Sequence, residues 1–121
     1  MKPPAQRWVW RGRPLSAHDG DTVTCVLDLG VGLTITIPLR LLNVYAPELN
    51  EHDGPEAHLF TVGWINRASF SIASWTLIVR TYKADPREKY GRWLATIWRK
   101  SDGACLNDDI VAAGLATKEK A

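Results

Sequence analysis

The amino-acid sequence predicts a mainly β fold with helices (α+β): a five-stranded barrel with one helix between strands 3 and 4 and a second helix at the carboxyl end. Two observations support this fold. Five segments are predicted as strands, and the clearest of them alternate apolar with polar residues as half-buried strands do. Two other segments carry the start and end signals of helices. At 121 residues, the chain can bury roughly two-thirds of its unfolded surface. No repeat or linker divides it, so we expect a single domain over residues 1–121.

The first strand is predicted at residues 7–13, where basic residues alternate with Trp8 and Trp10. This pattern is typical of an amphipathic strand with its tryptophans on one face, which is the interpretation we favour. Aromatic stacking beside phosphate contacts is the alternative. Beyond Pro14, residues 15–18 continue the strand.

The second and third strands form a predicted hairpin. Residues 22–29 alternate as a half-buried strand does, and the Gly-Val-Gly sequence at 30–32 is a turn signal. In residues 33–44, apolar side chains at every second position share one face. Arg40 falls on the opposite face, so we expect it to project from the barrel without entering the core.

The remaining elements follow in order. Gly54 is followed by proline and glutamate, which predicts the start of a helix. Residues 74–82 and 91–99 are the fourth and fifth strands. Asn107 is the expected N-cap of the second helix, and Gly114 its C-terminal end.

Composition restricts the possible functions only loosely. The net charge is +2, from 15 basic and 13 acidic residues, so overall charge hardly argues for nucleic acid. Cys25 and Cys105 are too few for a disulfide framework, and a buried thiol is the expected role of Cys25. Neither a secretory signal nor a membrane-spanning run of apolar residues is visible. We therefore expect a cytoplasmic protein that does not insert into membranes, unless a signal was removed.

Three short stretches carry residues suited to phosphate chemistry: residues 19–22 (Asp-Gly-Asp-Thr), residues 40–48, which begin with an arginine and end with Pro-Glu, and residues 89–92 (Lys-Tyr-Gly-Arg). Together they supply carboxylates and two arginines. Carboxylates bind divalent cations, and guanidinium groups bind phosphate oxygens. The sequence therefore points to a phosphate ester and a divalent cation as ligands.

These stretches, with residues 54–57 (Gly-Pro-Glu-Ala) and 114–116 (Gly-Leu-Ala), resemble the staphylococcal nuclease (thermonuclease) family in order and approximate spacing. The resemblance covers about residues 17–116. It implies an OB-fold barrel and hydrolysis of a phosphodiester by water beside a calcium ion. The cleavage products would carry a 5′-hydroxyl and a 3′-phosphate.

The resemblance also implies a metal site. Asp21 matches a direct carboxylate ligand of calcium, Ala46 matches a position that offers its backbone carbonyl, and Asp19 matches a carboxylate just beyond the direct ligands. Tyr45 departs from the family, which has a calcium-binding aspartate there. A phenol is neutral at pH 7 and a poor ligand for calcium, and its bulk could fill the metal pocket.

The implied catalytic residues are Glu48 as general base and Arg40 and Arg92 as the cations that neutralise phosphate charge. Lys89 and Tyr90 match positions near the terminal phosphate and sugar of a bound nucleotide. Each residue alone has an ordinary structural explanation, such as a turn or a solvated surface charge. Their occurrence as a linked set favours the functional interpretation.

We therefore expect an endonuclease-type phosphodiesterase with little sequence preference that cleaves DNA, with RNA left open. Calcium is the expected cofactor, other divalent cations remain candidates, and a monomer is the default state. The alternative is a barrel of the same type that has lost catalysis and binds nucleic acid or a protein. Tyr45 favours this alternative, whereas the intact set of Arg40, Glu48 and Arg92 favours the enzyme.

Overall fold

The computed structural model describes residues 1–68, 75–83 and 92–118. Its elements, in chain order, are β1 (Val9–Asp19), β2 (Thr22–Gly30), β3 (Leu33–Leu41), β4 (Val44–Tyr45), α1 (Gly54–Arg67), β5 (Leu77–Tyr82), β6 (Trp93–Arg99), α2 (Leu106–Ala112) and β7 (Thr117–Lys118). Five strands close into a barrel in the order β1-β2-β3-β6-β5, and β4 pairs with β7 in a separate two-stranded sheet. The predicted α+β barrel is thus confirmed.

The register of β3 matters most for the positions of the candidate site residues. Its antiparallel pairing with β2 sets Arg40 opposite Thr22. Its parallel pairing with β6 sets Arg40 opposite Leu94. Arg92, the residue just before β6, therefore lies close to the end of β3 that carries Arg40.

The core fills the interior of the barrel between the strands and the two helices. Leu39 and Leu41 of β3 are fully buried, whereas Leu33 and Ile35 at the start of the same strand are exposed. The β2–β3 hairpin therefore extends beyond the core. Burial also raises the pKa of the Cys25 thiol to about 12, which makes this cysteine chemically inert at neutral pH.

The first strand does not end at Pro14. Strand β1 continues to Asp19, and a shift of register between Pro14 and Ser16 accommodates the proline against β2. Proline cannot donate to the ladder, and a bulge is one of the few places where a paired strand tolerates it. The predicted continuation of the strand over residues 15–18 is therefore confirmed.

The prediction that Asn107 caps α2 is wrong. Cys105 is the N-cap residue, and Asn107 lies buried inside the first turn. Its amide Nδ2 donates to the carbonyl oxygens of Leu42 (3.2 Å) and Ala95 (3.0 Å), and its Oδ1 accepts from the backbone N–H of Ile97 (3.1 Å). A buried backbone N–H or carbonyl of a strand that lacks a hydrogen-bond partner costs more free energy than an uncapped, solvent-exposed helix end. The Asn107 amide therefore bonds to the barrel and holds α2 against it.

In the described part of the chain, no helix has both the length and the apolar character needed to cross a membrane.

Candidate active site

Two carboxylates lie at the tight turn between β1 and β2. Asp19 and Asp21 are both buried, and the Asp21 backbone N–H donates to Asp19 Oδ1 at 3.3 Å. The Asp21 carbonyl oxygen accepts from the Leu41 backbone N–H at 2.8 Å. These bonds tie the turn to the end of β3 and hold the two acidic side chains next to each other.

Helix α1 supports this turn from below. A Cβ at Gly20 would lie 2.8 Å from the Ala57 Cβ, closer than real Cβ contacts allow, and 3.0 Å from the Ala46 Cβ. The Thr61 hydroxyl donates to the Gly20 carbonyl oxygen at 2.8 Å. His58 Nε2 makes a 3.0 Å hydrogen bond with the Ala17 carbonyl oxygen. Glycine is therefore required for α1 to approach and fix the turn.

Burial gives Asp21 unusual electrostatics. Loss of hydration raises its pKa to about 7, helped by a hydrogen bond with Asp19. The Ala46 backbone N–H, 3.1 Å from Asp21 Oδ2, and the Arg40 guanidinium, 3.9 Å from the same oxygen, oppose this effect. Near neutral pH, a large share of Asp21 therefore carries a proton when no cation is bound.

Thr22 connects the acidic turn to one of the two arginines. The Arg92 guanidinium donates to the Thr22 hydroxyl at 2.9 Å, and that hydroxyl donates to Asp21 Oδ1 at 3.3 Å. The Arg40 side chain is mostly buried beside the same aspartate. The prediction that Arg40 projects from the barrel outside the core agrees with this position, although the side chain is less exposed than a surface arginine.

Glu48 comes from the loop between β4 and α1. Its backbone carbonyl accepts from the Glu51 backbone N–H at 2.9 Å. A Cβ at Gly54 would lie only 1.8 Å from the Glu48 carbonyl oxygen, so the loop can pack against α1 only because residue 54 is glycine. The Glu48 side chain itself is exposed.

One open pocket of about 530 Å³ brings several of these residues together. Asp19, Glu48 and Arg92 line it, with Thr22 between them. Asp21 and Arg40 are not among the lining residues, although Asp21 is hydrogen-bonded to the lining residue Thr22 and Arg40 lies 3.9 Å from Asp21. The other residues that line the pocket are His18, Thr24, Pro38, Leu49 and Asn50. The predicted Lys89 and Tyr90 lie outside the described residues.

Tyr45 does not fill this pocket. It belongs to β4, is paired with Thr117 of β7, and is 49% exposed. Its bulk is therefore accommodated at the surface, and only the loss of a carboxylate at this position bears on metal binding.

Thr22 was not predicted as a site residue, although it belongs to the Asp-Gly-Asp-Thr stretch. Its signal in the sequence was its place one residue after Asp21, on the same face of the β2–β3 hairpin as Arg40. Thr61 and His58 had no such signal, because they act through contacts with carbonyl oxygens 41 residues away along the chain.

A model of the family described as staphylococcal nuclease homologue matches residues 38–121, which is more than half of the chain. The chain belongs to this family. The match includes Arg40, Glu48 and Arg92 and begins after Asp19 and Asp21. No curated protein matches the chain. Staphylococcal nuclease homologues are generally hydrolases that act on nucleic acids and typically depend on calcium.

The candidate site of this nuclease homologue offers carboxylate oxygens that suit a divalent cation, but too few of them to complete its coordination. Asp19 and Asp21 are both buried and lie next to each other in the turn. Burial raises the pKa of Asp21, so a cation bound beside it would favour its charged form. Over the described ranges, however, no group of three or more acidic, histidine or cysteine side chains is arranged to hold a metal. Calcium takes about six to eight oxygen ligands, so water or a substrate phosphate would have to supply most of them.

Proposed function

We propose that this protein is a metal-dependent nuclease that hydrolyses phosphodiester bonds of DNA, and as a further candidate substrate RNA, with little sequence preference. The observation that carries the proposal is the pocket shared by Glu48, Asp19 and Arg92. A carboxylate, an anionic turn and a guanidinium around one open pocket suit a phosphate ester, a cation and an attacking water. Family membership supports the same reaction class.

Glu48 is the proposed general base. Its exposed carboxylate borders the pocket and can take a proton from water as the water oxygen attacks phosphorus. The bond from phosphorus to the 5′ oxygen then breaks, and that oxygen takes up a proton from solvent, leaving a 3′-phosphate and a 5′-hydroxyl. Arg92 and Arg40 are proposed to neutralise the charge that develops on the phosphate oxygens, for which the planar guanidinium is well suited.

Asp21, the Ala46 carbonyl and Asp19 are the residues proposed to hold the cation, with calcium as the first candidate. When bound, the cation would supply positive charge that polarises the phosphate. Asp21 is the direct carboxylate ligand in this proposal, because it matches that ligand of the family and because burial opposes its charged form in spite of Arg40 at 3.9 Å. Since Tyr45 contributes no carboxylate, substrate phosphate is expected to complete the coordination.

Plasmid digestion tests this proposal. Wild-type protein should nick and linearise a supercoiled plasmid with calcium, magnesium or manganese and leave it intact with chelator. Glu48→Gln should digest at least about a hundredfold more slowly, as loss of a general base typically does. Glu56→Gln is the matched control, because Glu56 is an exposed glutamate in the first turn of α1 that does not line the pocket. Equal digestion by wild type and Glu48→Gln would reject the assignment.

A second candidate function is supported by Tyr45. Replacement of a metal-binding carboxylate by an exposed phenol is what a barrel would tolerate if it only bound nucleic acid or a protein. This candidate predicts no digestion with any of the three cations, together with measurable binding of an oligonucleotide or partner.

A further inference from the structure

The outer face of strands β1, β2 and β3 continues the surface of the candidate active site. Val23 and Cys25 of β2 point into the core, where both are fully buried. Because side chains alternate along a strand, Thr22, Thr24 and Val26 point outward, and the two threonines line the candidate active site. Val26 is only 7% exposed, yet it does not belong to the core cluster. Neighbouring side chains on the outer face must therefore cover it.

Arg13 is one of these neighbours. It is paired with Val26 in the register between β1 and β2. The preceding residue, Gly12, faces the core, because a Cβ there would lie 3.1 and 3.2 Å from core side chains of β2 and β5. Arg13 therefore points outward, and it is exposed. Thr22 and Val26 are four residues apart on β2, a rise of about 13 Å, and this rise separates Arg13 from the pocket.

Short, uncharged side chains form most of the sheet surface between the pocket and Arg13. The register places Ser16 and Pro38 on either side of Thr24, and Arg13 and Thr36 on either side of Val26. None of these side chains is acidic. A polyanion that enters the pocket can therefore lie across this surface without meeting a carboxylate. We call this surface the outer strip, and its residues are Arg13, Ser16, Thr24, Val26, Thr36 and Pro38.

The Arg13 guanidinium is held on an aromatic ring. Its Cζ lies 5.2 Å from the centroid of the Trp75 ring. Two residues earlier, Arg11 is paired with Asp28 at 2.6 Å, whereas no carboxylate of the described ranges forms an ion pair with Arg13. Stacking on tryptophan stabilises the cation and orients its plane. The N–H groups along the edge of that plane suit two oxygens of a phosphate.

We propose that Arg13, held on Trp75, binds a phosphate of the nucleic-acid substrate a few nucleotides away from the phosphate in the candidate active site. The outer strip lies between the two phosphate positions. This inference rests on the proposed function and adds a second binding position for the same substrate. A nucleic-acid strand suits both positions, because it carries a phosphate at every nucleotide. An acidic protein segment would be a different occupant of the strip.

Binding of a fluorescently labelled oligonucleotide, measured by anisotropy in chelator at several salt concentrations, tests the proposal. Arg13→Ala should weaken binding roughly fivefold at low salt. It should also reduce the slope of log affinity against log salt by about 0.7 to 0.9, the share of one phosphate contact. Arg13→Lys keeps the charge and loses the planar guanidinium, so it should keep the slope and lose only part of the affinity.

Arg80→Ala is the matched control. Arg80 is also an exposed arginine over an aromatic ring, 5.3 Å from the centroid of Tyr82. It is paired with Val9 at the far end of β1, outside the outer strip. Affinity and salt slope of this variant should be close to those of wild type. Equal losses in Arg13→Ala and Arg80→Ala would reduce the effect to general surface charge and overturn the proposal.

A nucleotide bisphosphate separates a local contact from damage to the fold. It is too short to reach from the candidate active site to Arg13, so wild type and Arg13→Ala should bind it equally in calorimetric titration with calcium. Loss of bisphosphate binding in Arg13→Ala would assign Arg13 a merely structural role. An acidic peptide that requires Arg13 for binding, while the oligonucleotide does not, would assign the strip to a protein. Either result, or no oligonucleotide binding by wild type at low salt, would overturn the proposal.

The nuclease proposal fails separately. Digestion of plasmid by wild type, together with unchanged affinity and salt slope in Arg13→Ala, rejects only the Arg13 site. Weaker binding and a smaller slope in Arg13→Ala, without any digestion by wild type, reject only the nuclease.

Discussion

The Arg92 guanidinium and the Thr22 hydroxyl are hydrogen-bonded at 2.9 Å across 70 residues of sequence. The same hydroxyl donates a hydrogen bond to the buried carboxylate of Asp21. An arginine suited to phosphate and a carboxylate suited to a cation are thus connected through one small side chain. Arg92, Thr22 and Asp21 therefore form one electrostatic unit.

Removing the guanidinium should disable this unit. We expect Arg92→Ala to fold and to digest plasmid at least about a hundredfold more slowly, because a cation aimed at the phosphate is lost. Arg80→Ala is the control, since Arg80 is exposed on β5 and stacks on Tyr82. Circular dichroism checks the fold of both variants. Wild-type digestion by Arg92→Ala would remove this residue from the proposed mechanism.

The pH dependence of stability should reflect Asp21. Its pKa is about 7 in the folded protein and 3.8 in the reference state, so the folded state binds the proton more tightly. The contribution of Asp21 to the free energy of unfolding is therefore most favourable below about pH 4, and this contribution is lost as the pH rises to about 7. We expect Asp21→Asn to raise the thermal midpoint at pH 8, with a gain in the free energy of unfolding of the order of a few kcal/mol. At pH 4 the substitution should change the thermal midpoint little.

Asp28 provides a control of opposite sign for the same measurement. Hydrogen bonds from the Gly30 backbone N–H and Arg11 lower the pKa of Asp28. Its carboxylate therefore stabilises the fold above its unfolded pKa, and that stabilisation is lost on acidification. Asp28→Asn should accordingly lower the thermal midpoint at pH 8. If both variants shift in the same direction at pH 8, the assigned environment of Asp21 is wrong.

Tyr45→Asp should restore a carboxylate near the proposed cation site. Calcium affinity rises with the number of charged oxygen ligands, so we expect tighter calcium binding and faster digestion at low calcium. Calorimetric titration of wild type and variant, with and without a nucleotide bisphosphate, measures this. Wild type should bind calcium weakly alone and more tightly with the bisphosphate. Tight binding by the unliganded wild type would contradict the prediction and would point to Glu51 and Asp53, two carboxylates just before α1, as substitute ligands.

Gly54→Ala should displace the loop that carries Glu48. The new Cβ cannot remain 1.8 Å from the Glu48 carbonyl oxygen, so the loop or α1 must move. We expect a lower thermal midpoint and slower digestion. Gly63→Ala lies in the same helix with open space around its Cβ, and it should stabilise the protein by about 0.5 to 1 kcal/mol. Thermal denaturation and digestion of both variants test this. A Gly54→Ala protein that matches wild type in both assays would show that the loop is not held as described.

Strands β2 and β3 were the most predictable from the sequence, because each alternates clearly over several residues, whereas β5 and β6 begin with runs of three apolar residues. The turn at residues 30–32 was predictable from its two glycines. Gly30 and Gly32 have positive φ angles of 85° and 82°, which glycine adopts easily. Strands β4 and β7 have only two residues each, which is too short for any periodicity. Their pairing depends on contacts between residues far apart in sequence.

The candidate site was predictable as a set of residues and not as a network. The acidic turn and the arginines have distinctive chemistry, so their residue types suggested a role. Thr22 and Asn107 are chemically ordinary, and local sequence favours a turn hydroxyl and a helix cap for them. Burial decided otherwise, because a buried hydroxyl or amide must satisfy whatever polar groups the fold places beside it.

The neighbouring positions of Arg92 and Trp93 have a consequence for how the barrel assembles. Successive residues along an extended chain point to opposite sides, so a slip of β6 by one residue against β3 would exchange the two side chains. A guanidinium would pack against the hydrophobic core that Trp93 contacts, and an indole would face the candidate active site. Burial of an unpaired charge is costly, so barrels with this error should unfold and not persist as folded, inactive protein. Correct assembly and a correctly charged active site are therefore selected together.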